Sequence, residues 1–585
     1  MTKTSPPPKV LIPEKISPDG LSLLQTSLEV EERKGLSEQE LIELIPQYDA
    51  LIVRSETKVT AELLAAGKKL RVVARAGVGV DNVDLQAATK LGIIVVNSPQ
   101  GNINAAAEHT IALLMAVARN IGHATVSIKS GKWERSKMIG VEVKGRTLAI
   151  VGLGKVGLTV ARAAGGLGMN IKGYDPYANT TLAAAANVEL LPTLAELLKS
   201  ADFLTLHTPM IASTKGLIST AELATMKPTA RVLNVARGGI IDEAALLAAL
   251  EAGTIAGAGI DVFTSEPPQA GDAASQLIAH PKVVATPHLG ASTAEAQENV
   301  SIDVCEQVLS ILSGQLPRSA VNAPIIMPEE YRTLQPFVSL LERMGSLYMQ
   351  HFGPTNTTER LRTTFDLIYE GSLASANTTK PLFAALIKGL LQPITSTQDT
   401  NINLVNAELI AKERGLLVNE SRARENVDQE GYSASVTLRA RVDPRSPSAS
   451  RAPRPDPFAE PASRAKKTED HIISGFVSNN TPYISRLGNF QTSFVPEGTL
   501  LIARNYDEPG KIGKVGGILG KAGVNIRFMS VAPIDVGGRS DVANGGQNGE
   551  NEALMILGVD RAVEESVRKE LITQQGVLET RVVVL

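Results

Sequence analysis

Short apolar runs alternate with helical stretches through the N-terminal half of the chain. KVLIPE from Lys9, ALIVRS from Ala50, LRVVARAG from Leu70 and IIVVNSP from Ile93 are each too short for a helix and rich in Val, Ile and Leu. The intervening segments space their apolar residues at helical intervals, so the pattern predicts a parallel sheet flanked by helices. A long helical segment follows over residues 104–119. A second series of apolar runs then begins at Thr147: TLAIVGLG, NIKGYDP, FLTLHTP, ARVLNVAR, GAGIDVF and VVATPHLG, the last ending at Gly290. These runs are continuous rather than alternating, as expected of strands covered on both faces. Two consecutive doubly wound α/β units account for the pattern, with the helical stretch after Ser292 returning to the first unit and making it discontinuous.

Beyond Pro324 longer helical patterns, such as residues 337–352, mix with strand patterns and mark an α+β region. Within it residues 443–468 are dense in Pro, Ser and Arg and have almost no apolar periodicity, which predicts a disordered insertion. Strand patterning resumes at Thr499 and runs to the C-terminal VVVL, interrupted by a polar loop, GGRSDVANGGQNGE, from Gly537. No tandem repeat is present.

Charge and cysteine content narrow the partners. Lys and Arg number 58 against 61 Asp and Glu in 585 residues, so there is no global positive field to hold nucleic acid or a membrane surface. The single cysteine, Cys305, excludes an intramolecular disulfide and any thiolate-rich metal centre, and it fits a reducing compartment. No metal site is expected. The opening MTKTSPPPKV lacks the character of a secretory or import signal. Apolar stretches such as residues 111–118 and 147–153 fall short of the roughly 20 residues of a membrane span, and a cytoplasmic protein is expected.

Gly152-Leu153-Gly154-Lys155-Val156-Gly157 directly follows the apolar run TLAIV and opens a helical pattern. In that context Gly152 makes a tight turn, Gly154 admits phosphates to the backbone and Gly157 lets helix pack on strand, the arrangement that binds a dinucleotide pyrophosphate. The next strand ends at Asp175, placed to accept hydrogen bonds from an adenosine ribose. This predicts NAD rather than NADP. His207, before Thr208 and Pro209 at a later strand end, is expected to line the same crevice. A structural glycine turn with an incidental Asp is the alternative.

Three further strand ends carry Arg237 (NVARGGIID), Glu266 (DVFTSEPP) and His288 (TPHLGAS). Strand ends of one doubly wound sheet converge on one crevice, and the set suits oxidation of a 2-hydroxy acid. His288 would take the hydroxyl proton, Glu266 would fix its tautomer, and Arg237 would hold the carboxylate and polarise the carbonyl in reverse. Arg54, Arg75, Arg135 and Lys137 are candidates to bind a second anionic group, with solvated cations the bland alternative. His109 lies in an apolar helix and reads as structural, and His123, His280, His351 and His471 have no matching constellation.

GLGKVG, VNVARGGIIDE, AGIDVFTSEPP and TPHLGAST resemble the signatures of the D-isomer-specific 2-hydroxy acid dehydrogenases. LIVRSETKVT, RAGVGVDNVD, AAAEHTIALLMAVARNI and GKWERSKMIGVEVKGRTLAIVGLGKVG extend the likeness to the branch of that family that oxidises 3-phosphoglycerate, over roughly residues 9–324. The resemblance implies the Arg237, Glu266 and His288 roles. It also implies cofactor contacts at Lys155, Val156, Thr208, Pro209, Val235 and Ala236, and at Asp261, Gly290 and Ala291. Substrate contacts are implied at Arg54, Ser55, Arg75, Gly77 and Asn102, with Lys137 nearby and Arg135 reaching phosphate across a subunit interface. Val78 departs from the pattern, since many relatives carry Thr there.

The segment LLIARNYDEPGKIGKVGGILGKAGVNI from Leu500 resembles an ACT regulatory domain, a ferredoxin-like module that binds amino acids. LIYEGSLA, KGLLQPI and VNAELIAKERG resemble the additional regulatory domain of the long form of the same branch. The implied plan is a substrate-binding domain over 1–102 and 291–324, an NAD-binding Rossmann domain over 103–290, an intervening domain over 325–496 and an ACT domain over 497–585. It also implies a homotetramer and L-serine as effector at Asn505, Asp507 and Asn525. Reductases of glyoxylate or hydroxypyruvate share the catalytic triplet, and transcriptional corepressors share the core. Both readings stay open at this point.

Overall fold

The computed structural model describes residues 6–315, 317–324, 326, 328–354, 362–394, 401–423, 433–441, 471–534, 552–573 and 576–585. The proposed insertion at 443–468 and the polar loop at 537–550 lie outside them.

Strands β1 (Lys9–Ile12), β2 (Glu29–Glu32), β3 (Ala50–Val53), β4 (Val72–Arg75) and β5 (Ile94–Asn97) form a parallel sheet in the order β2-β1-β3-β4-β5. All four residues of β3 are buried, which is why that run reads as unbroken apolar sequence. The helix Ala294–Leu312 starts at a Thr293 cap and returns to this sheet, where its Val300, Val304 and Val308 share a core with Val10, Ile12 and Ile52.

The second sheet contains β6 (Thr147–Val151), β7 (Asn170–Tyr174), β8 (Glu189–Leu190), β9 (Phe203–Leu206), β10 (Arg231–Asn234), β11 (Gly257–Ile260) and β12 (Val283–Ala285). Its order is β12-β11-β10-β9-β6-β7-β8, all parallel. The chain starts in the middle, at β6, and builds outward both ways, so a crevice opens at the carboxyl end of β6 where the winding reverses. The helix Ile103–Ala118, first after the crossover from the first sheet, packs Leu113, Leu114 and Val117 against this second sheet.

The C-terminal part holds two more sheets. A mixed sheet is built from β13 (Thr364–Gly371), β14 (Leu417–Ala423), β15 (Ala434–Ala440), β16 (Ile472–Ser478), β17 (Thr481–Leu487) and β18 (Phe490–Phe494). An antiparallel sheet follows, with β19 (Thr499–Tyr506), β20 (Ile526–Pro533), β21 (Glu552–Val559) and β22 (Val577–Val584) in the order β20-β21-β19-β22. Helices Lys511–Lys521 and Glu565–Thr573 complete a βαββαβ unit, the ferredoxin-like topology. The two sheets are not separately cored. Leu340, Met344 and Leu347 of the long helix Pro328–His351 lie in one apolar cluster with Leu367 and Val436 of the mixed sheet and Ile502, Leu554 and Val583 of the antiparallel one. Gln350 fastens the same helix to the backbone of Val584 with two hydrogen bonds of 2.8 and 2.9 Å.

The C-terminal part touches the first sheet at one backbone atom in particular. The side-chain amides of Asn401 and Asn403 both donate to the carbonyl of Gly92, at 3.1 and 2.7 Å. Gly92 has φ +71°, and a Cβ there would stand 2.2 Å from the Asn401 carbonyl oxygen, so this turn before β5 requires glycine twice over.

Candidate active site

The glycines after β6 divide by what surrounds them. Gly152 has φ +92°, and a Cβ on it would meet the His207 carbonyl at 2.5 Å; one on Gly157 would meet the Gly152 carbonyl at 2.1 Å. Both are fixed by internal packing. Gly154 caps the helix Lys155–Gly166 with no side-chain hydrogen bond, and a Cβ there would find no atom within 4 Å. The helix therefore begins with Lys155 and Val156 below an open space, faced by amide donors with no side-chain acceptor at the cap. Thr208 borders the turn, and its buried hydroxyl has no hydrogen-bond partner among the described residues. A backbone cradle for an anion beside an unsatisfied polar atom fits the pyrophosphate of a dinucleotide.

Asp175 lies just beyond β7. One carboxylate oxygen accepts from the Leu153 amide and the other from the Tyr177 amide, both at 2.8 Å. The carboxylate is thus fixed in orientation while its remaining lone pairs can accept from ribose hydroxyls. His207 follows β9, bonded to the Thr205 hydroxyl at 3.0 Å, and burial brings its imidazole down to about 4, leaving it neutral. Thr208 and Pro209 continue from it. Val235 and Ala236 follow β10, and Gly290 and Ala291 follow β12, so both loops open onto the same sheet edge. They meet closely: a Cβ on Gly290 would lie 2.9 Å from a Val235 methyl group.

Glu266, after β11, accepts from the Phe263 amide at 2.9 Å and stands 2.7 Å from His288 Nδ1. Burial opposes its charge, but the His288 and Phe263 hydrogen bonds outweigh that and hold the carboxyl below its usual range. An ionised carboxylate can only accept, so His288 carries its proton on Nδ1 and leaves Nε2 able to take another. His288 has φ +55°, a left-handed backbone that costs a non-glycine residue about 1–2 kcal/mol. Asp261 holds it there. The fully buried Asp261 carboxylate accepts from the amides of Leu289 and Gly290 at 2.7 and 2.8 Å, and its backbone carbonyl accepts from the His288 amide at 2.8 Å. Asp261, expected among the cofactor contacts, thus has its carboxylate engaged inside the protein.

Arg237 reaches from the second unit to the first. Its Nε pairs with Asp81 at 3.2 Å, and Nη2 lies so near Gly79 that a Cβ there would be 2.1 Å away. Gly238 allows this loop to press on the next, since its Cβ would fall 2.0 Å from the Phe263 carbonyl. Arg75 curls over Gly77, its buried Nε without a partner among the described residues. Burial, with Arg237 and Arg54 adding repulsion, lowers Arg75 to about 10, which leaves it charged at neutral pH. The loop bearing Arg54 and Ser55 is held by two groups that sequence reasoning missed. Buried Glu14 accepts from the Arg54 and Thr57 amides at 2.8 and 3.0 Å, and Asn82 donates to the carbonyls of the same two residues at 2.8 and 2.7 Å. The sequence marks Glu14 only by its place after the first apolar run, since its burial appears when β1 and β3 lie side by side.

Asn102 precedes the helix Ile103–Ala118, and its side chain does not cap it. Arg135 and Lys137 lie on an exposed turn after the helix Ile121–Lys129 rather than on the sheet edge, and Lys137 is paired with Glu134 at 2.8 Å. The same arm exposes Val126, Ile128, Trp133 and Ile139.

The expected effector residues do not form one site within the chain. Asp507 follows the end of β19 and Asn525 precedes the start of β20. These two strands run the same way, since Val559 of β21 stands opposite both Thr499 and Ile526. Asp507 and Asn525 therefore lie at opposite ends of the sheet, roughly 20 Å apart at the usual rise per residue. Asn505 is buried, its amide nitrogen bonded to the Tyr506 carbonyl at 2.8 Å and its oxygen without a partner among the described residues.

Residues 111–290 match the NAD-binding domain of the D-isomer-specific 2-hydroxyacid dehydrogenases, and residues 333–450 match the intervening domain of D-3-phosphoglycerate dehydrogenase. A chloroplastic D-3-phosphoglycerate dehydrogenase of Arabidopsis thaliana is 42% identical over 96% of this chain and 87% of its own length. The enzyme of that name from Methanocaldococcus jannaschii is 39% identical over 96% and 97%, and that of Bacillus subtilis 37% identical over 98% and 99%. A crystal structure of a glyoxylate reductase from Paecilomyes thermophila superposes over 56% of this chain and all of its own, with a TM-score of 0.50 and 28% identity. No single helix among the described residues is long and apolar enough to cross a membrane. Near-full-length similarity of this degree, over a nucleotide-binding turn and a His–Glu pair in one crevice, makes the chain a member of the D-3-phosphoglycerate dehydrogenase family, NAD-dependent oxidoreductases of 2-hydroxy acids.

Proposed function

We propose that the chain oxidises 3-phospho-D-glycerate to 3-phosphohydroxypyruvate, the opening step of L-serine biosynthesis. The observations that carry the reading are the His288–Glu266 pair, the packing of the Arg237 loop on the loop that leads to Glu266, and the repulsion that Arg237 and Arg54 exert on Arg75. NAD, held by the turn at residues 152–157 and by Asp175, would supply the acceptor for the hydride of C2. His288 Nε2 takes the hydroxyl proton, and Glu266 stabilises the imidazolium that results. Arg237 holds the carboxylate, where in the reverse direction it also polarises the carbonyl. Arg54 and Arg75 supply positive charge for the second anionic group, which a simple hydroxy acid lacks. The cofactor contacts named above, with Asp261 acting from behind through the 288–290 loop, belong to this reading, as does the substrate role of Ser55, Gly77 and Asn102.

Assembly completes the proposal. The exposed apolar residues of the 121–139 arm suit a contact with a second copy, which would bring Arg135 and Lys137 to the partner's substrate, and a homotetramer satisfies both this contact and one between C-terminal modules. L-serine would bind where Asp507 of one copy meets Asn525 of another, with Asn505 beside it. The lone buried Cys305 suits a reducing cytoplasm. The test follows NADH formation from 3-phosphoglycerate and from D-glycerate. Loss of the phosphate should cost roughly 100-fold in kcat/KM, as expected for a desolvated charge-assisted contact. Equal turnover of the two acids, or a preference for glyoxylate reduction, would overturn the reading.

A further inference from the structure

His109 is the histidine that the reaction leaves unused and that the structure nonetheless places one residue away from it. It projects from the apolar helix Ile103–Ala118, where leucine would pack at no polar cost. Its Nε2 lies 3.2 Å from Asp261 Oδ1 and 3.1 Å from the Thr286 hydroxyl, which itself donates to the same carboxylate oxygen at 2.5 Å. An ionised carboxylate only accepts, so Nε2 bears the proton and donates. The Asp261 carboxylate thus has side-chain donors behind it, His109 and Thr286, and backbone donors in front, the amides of Leu289 and Gly290 that immediately follow His288.

We propose that His109 is a positioning residue for the proton-transfer step: by fixing the Asp261 carboxylate, it holds the 288–290 loop in place, with His288 in the left-handed conformation that aims it at the substrate. The proposal rests on His288 as the acid–base group. Loss of the His109 donor leaves a fully buried carboxylate short of a partner, and rotation toward the remaining donors would pull on the Leu289 and Gly290 amides. An ångström of displacement at a reacting group costs on the order of 100-fold in rate. The burial of Asp261 agrees, since its charge is kept in spite of desolvation by the hydrogen bonds of His109, Thr286, Leu289 and Gly290 together. His109 is also in the first helix after the crossover from the substrate-binding sheet, so the bond ties the catalytic loop to the element by which the two units are joined.

Three variants decide it: His109→Leu, His109→Gln and Thr286→Val, each measured for kcat, KM for NAD and 3-phosphoglycerate, the pH profile of kcat, and melting temperature. His109→Leu should lower kcat roughly 10- to 100-fold, with KM for NAD within about threefold of wild type and a displaced limb in the pH profile. Gln, which keeps a donor, should restore kcat to within about threefold, and Thr286→Val should show the same kcat-selective loss to a smaller extent. A purely structural His109 would lower the melting temperature of the Leu variant and leave kcat and the pH profile of the folded enzyme unchanged, which would overturn the proposal, as would equal losses in Leu and Gln. If His109→Leu fails to fold, Thr286→Val carries the same test. His288→Asn measured alongside separates the two ideas: an unimpaired His288→Asn removes the acid–base reading itself, whereas an impaired one with a fully active His109→Leu removes only the role of His109.

Discussion

The nucleotide-binding unit and the C-terminal ferredoxin-like module are both βα structures, yet they place polar residues differently. In the parallel sheet every strand ends at the same edge, so residues as far apart in sequence as Gly152, Asp175, Arg237, Glu266 and His288 open onto one crevice of a single chain. In the antiparallel sheet the strand directions alternate and the βα turns fall at both ends, so Asp507 and Asn525 are separated by the full length of β19. The first architecture gathers the proposed cofactor and acid–base groups within one chain, leaving only Arg135 and Lys137 to a partner. The second sets these two residues apart, and on the proposed serine reading they are half-sites that a second copy joins.

The sharpest way to break the one-chain half of this contrast is His288→Asn, for which kcat should fall roughly 100- to 10,000-fold with NAD binding retained, as measured by steady-state turnover and cofactor titration. Arg237→Ala should cost roughly 100-fold in kcat/KM, shared between a raised KM and a lowered kcat because its contact serves ground and transition states alike. The glycines offer a finer test. Gly152→Ala, with its positive φ and a carbonyl in the way, should lose about 1–3 kcal/mol of stability in thermal melts, while Gly154→Ala should melt like wild type and bind NAD about tenfold more weakly. Asp175→Ala should narrow the NAD-to-NADP ratio of kcat/KM by about tenfold; an unchanged ratio would remove the ribose contact. The smallest effect tests the two-copy half. Asp507→Ala and Asn525→Ala should each weaken serine inhibition by roughly fivefold or more, and mixed assemblies of the two variants should regain part of it, because one pairing in each heterodimer joins the two unmutated residues. Failure of mixing to restore any inhibition would place the effector site elsewhere.

Much of the candidate crevice was legible because its signals are local. The turn GLGKVG follows a strand, opens a helix and is followed by an acid at the next strand end, and each step is read from residues close in sequence. His288 and Glu266 were legible for the same reason, as strand ends with complementary chemistry. The residues that went unread depend on distance. Glu14 is recognisable only once β1 and β3 are side by side, so that its carboxylate meets the Arg54 amide 40 residues away. His109 reads as structural because its helix is apolar, and its hydrogen bond to Asp261, 152 residues further along, appears only in the fold. The opposite placement of Asp507 and Asn525 follows from strand direction, which a pattern of apolar residues does not record.

The contact at Gly92 has a mechanical consequence. Two donors from residues only two apart, Asn401 and Asn403, meet a single oxygen, so the attachment resists sliding while allowing rotation about that atom. At this atom the C-terminal part is held to the first sheet by a pivot. The pivot sits at the head of β5, whose other end holds Asn97 bonded to the Val78 carbonyl beside Gly77 and Gly79. If serine acts on the C-terminal half as proposed, turning that half would reach the loops at Gly77 and Gly79 along the axis of one short strand.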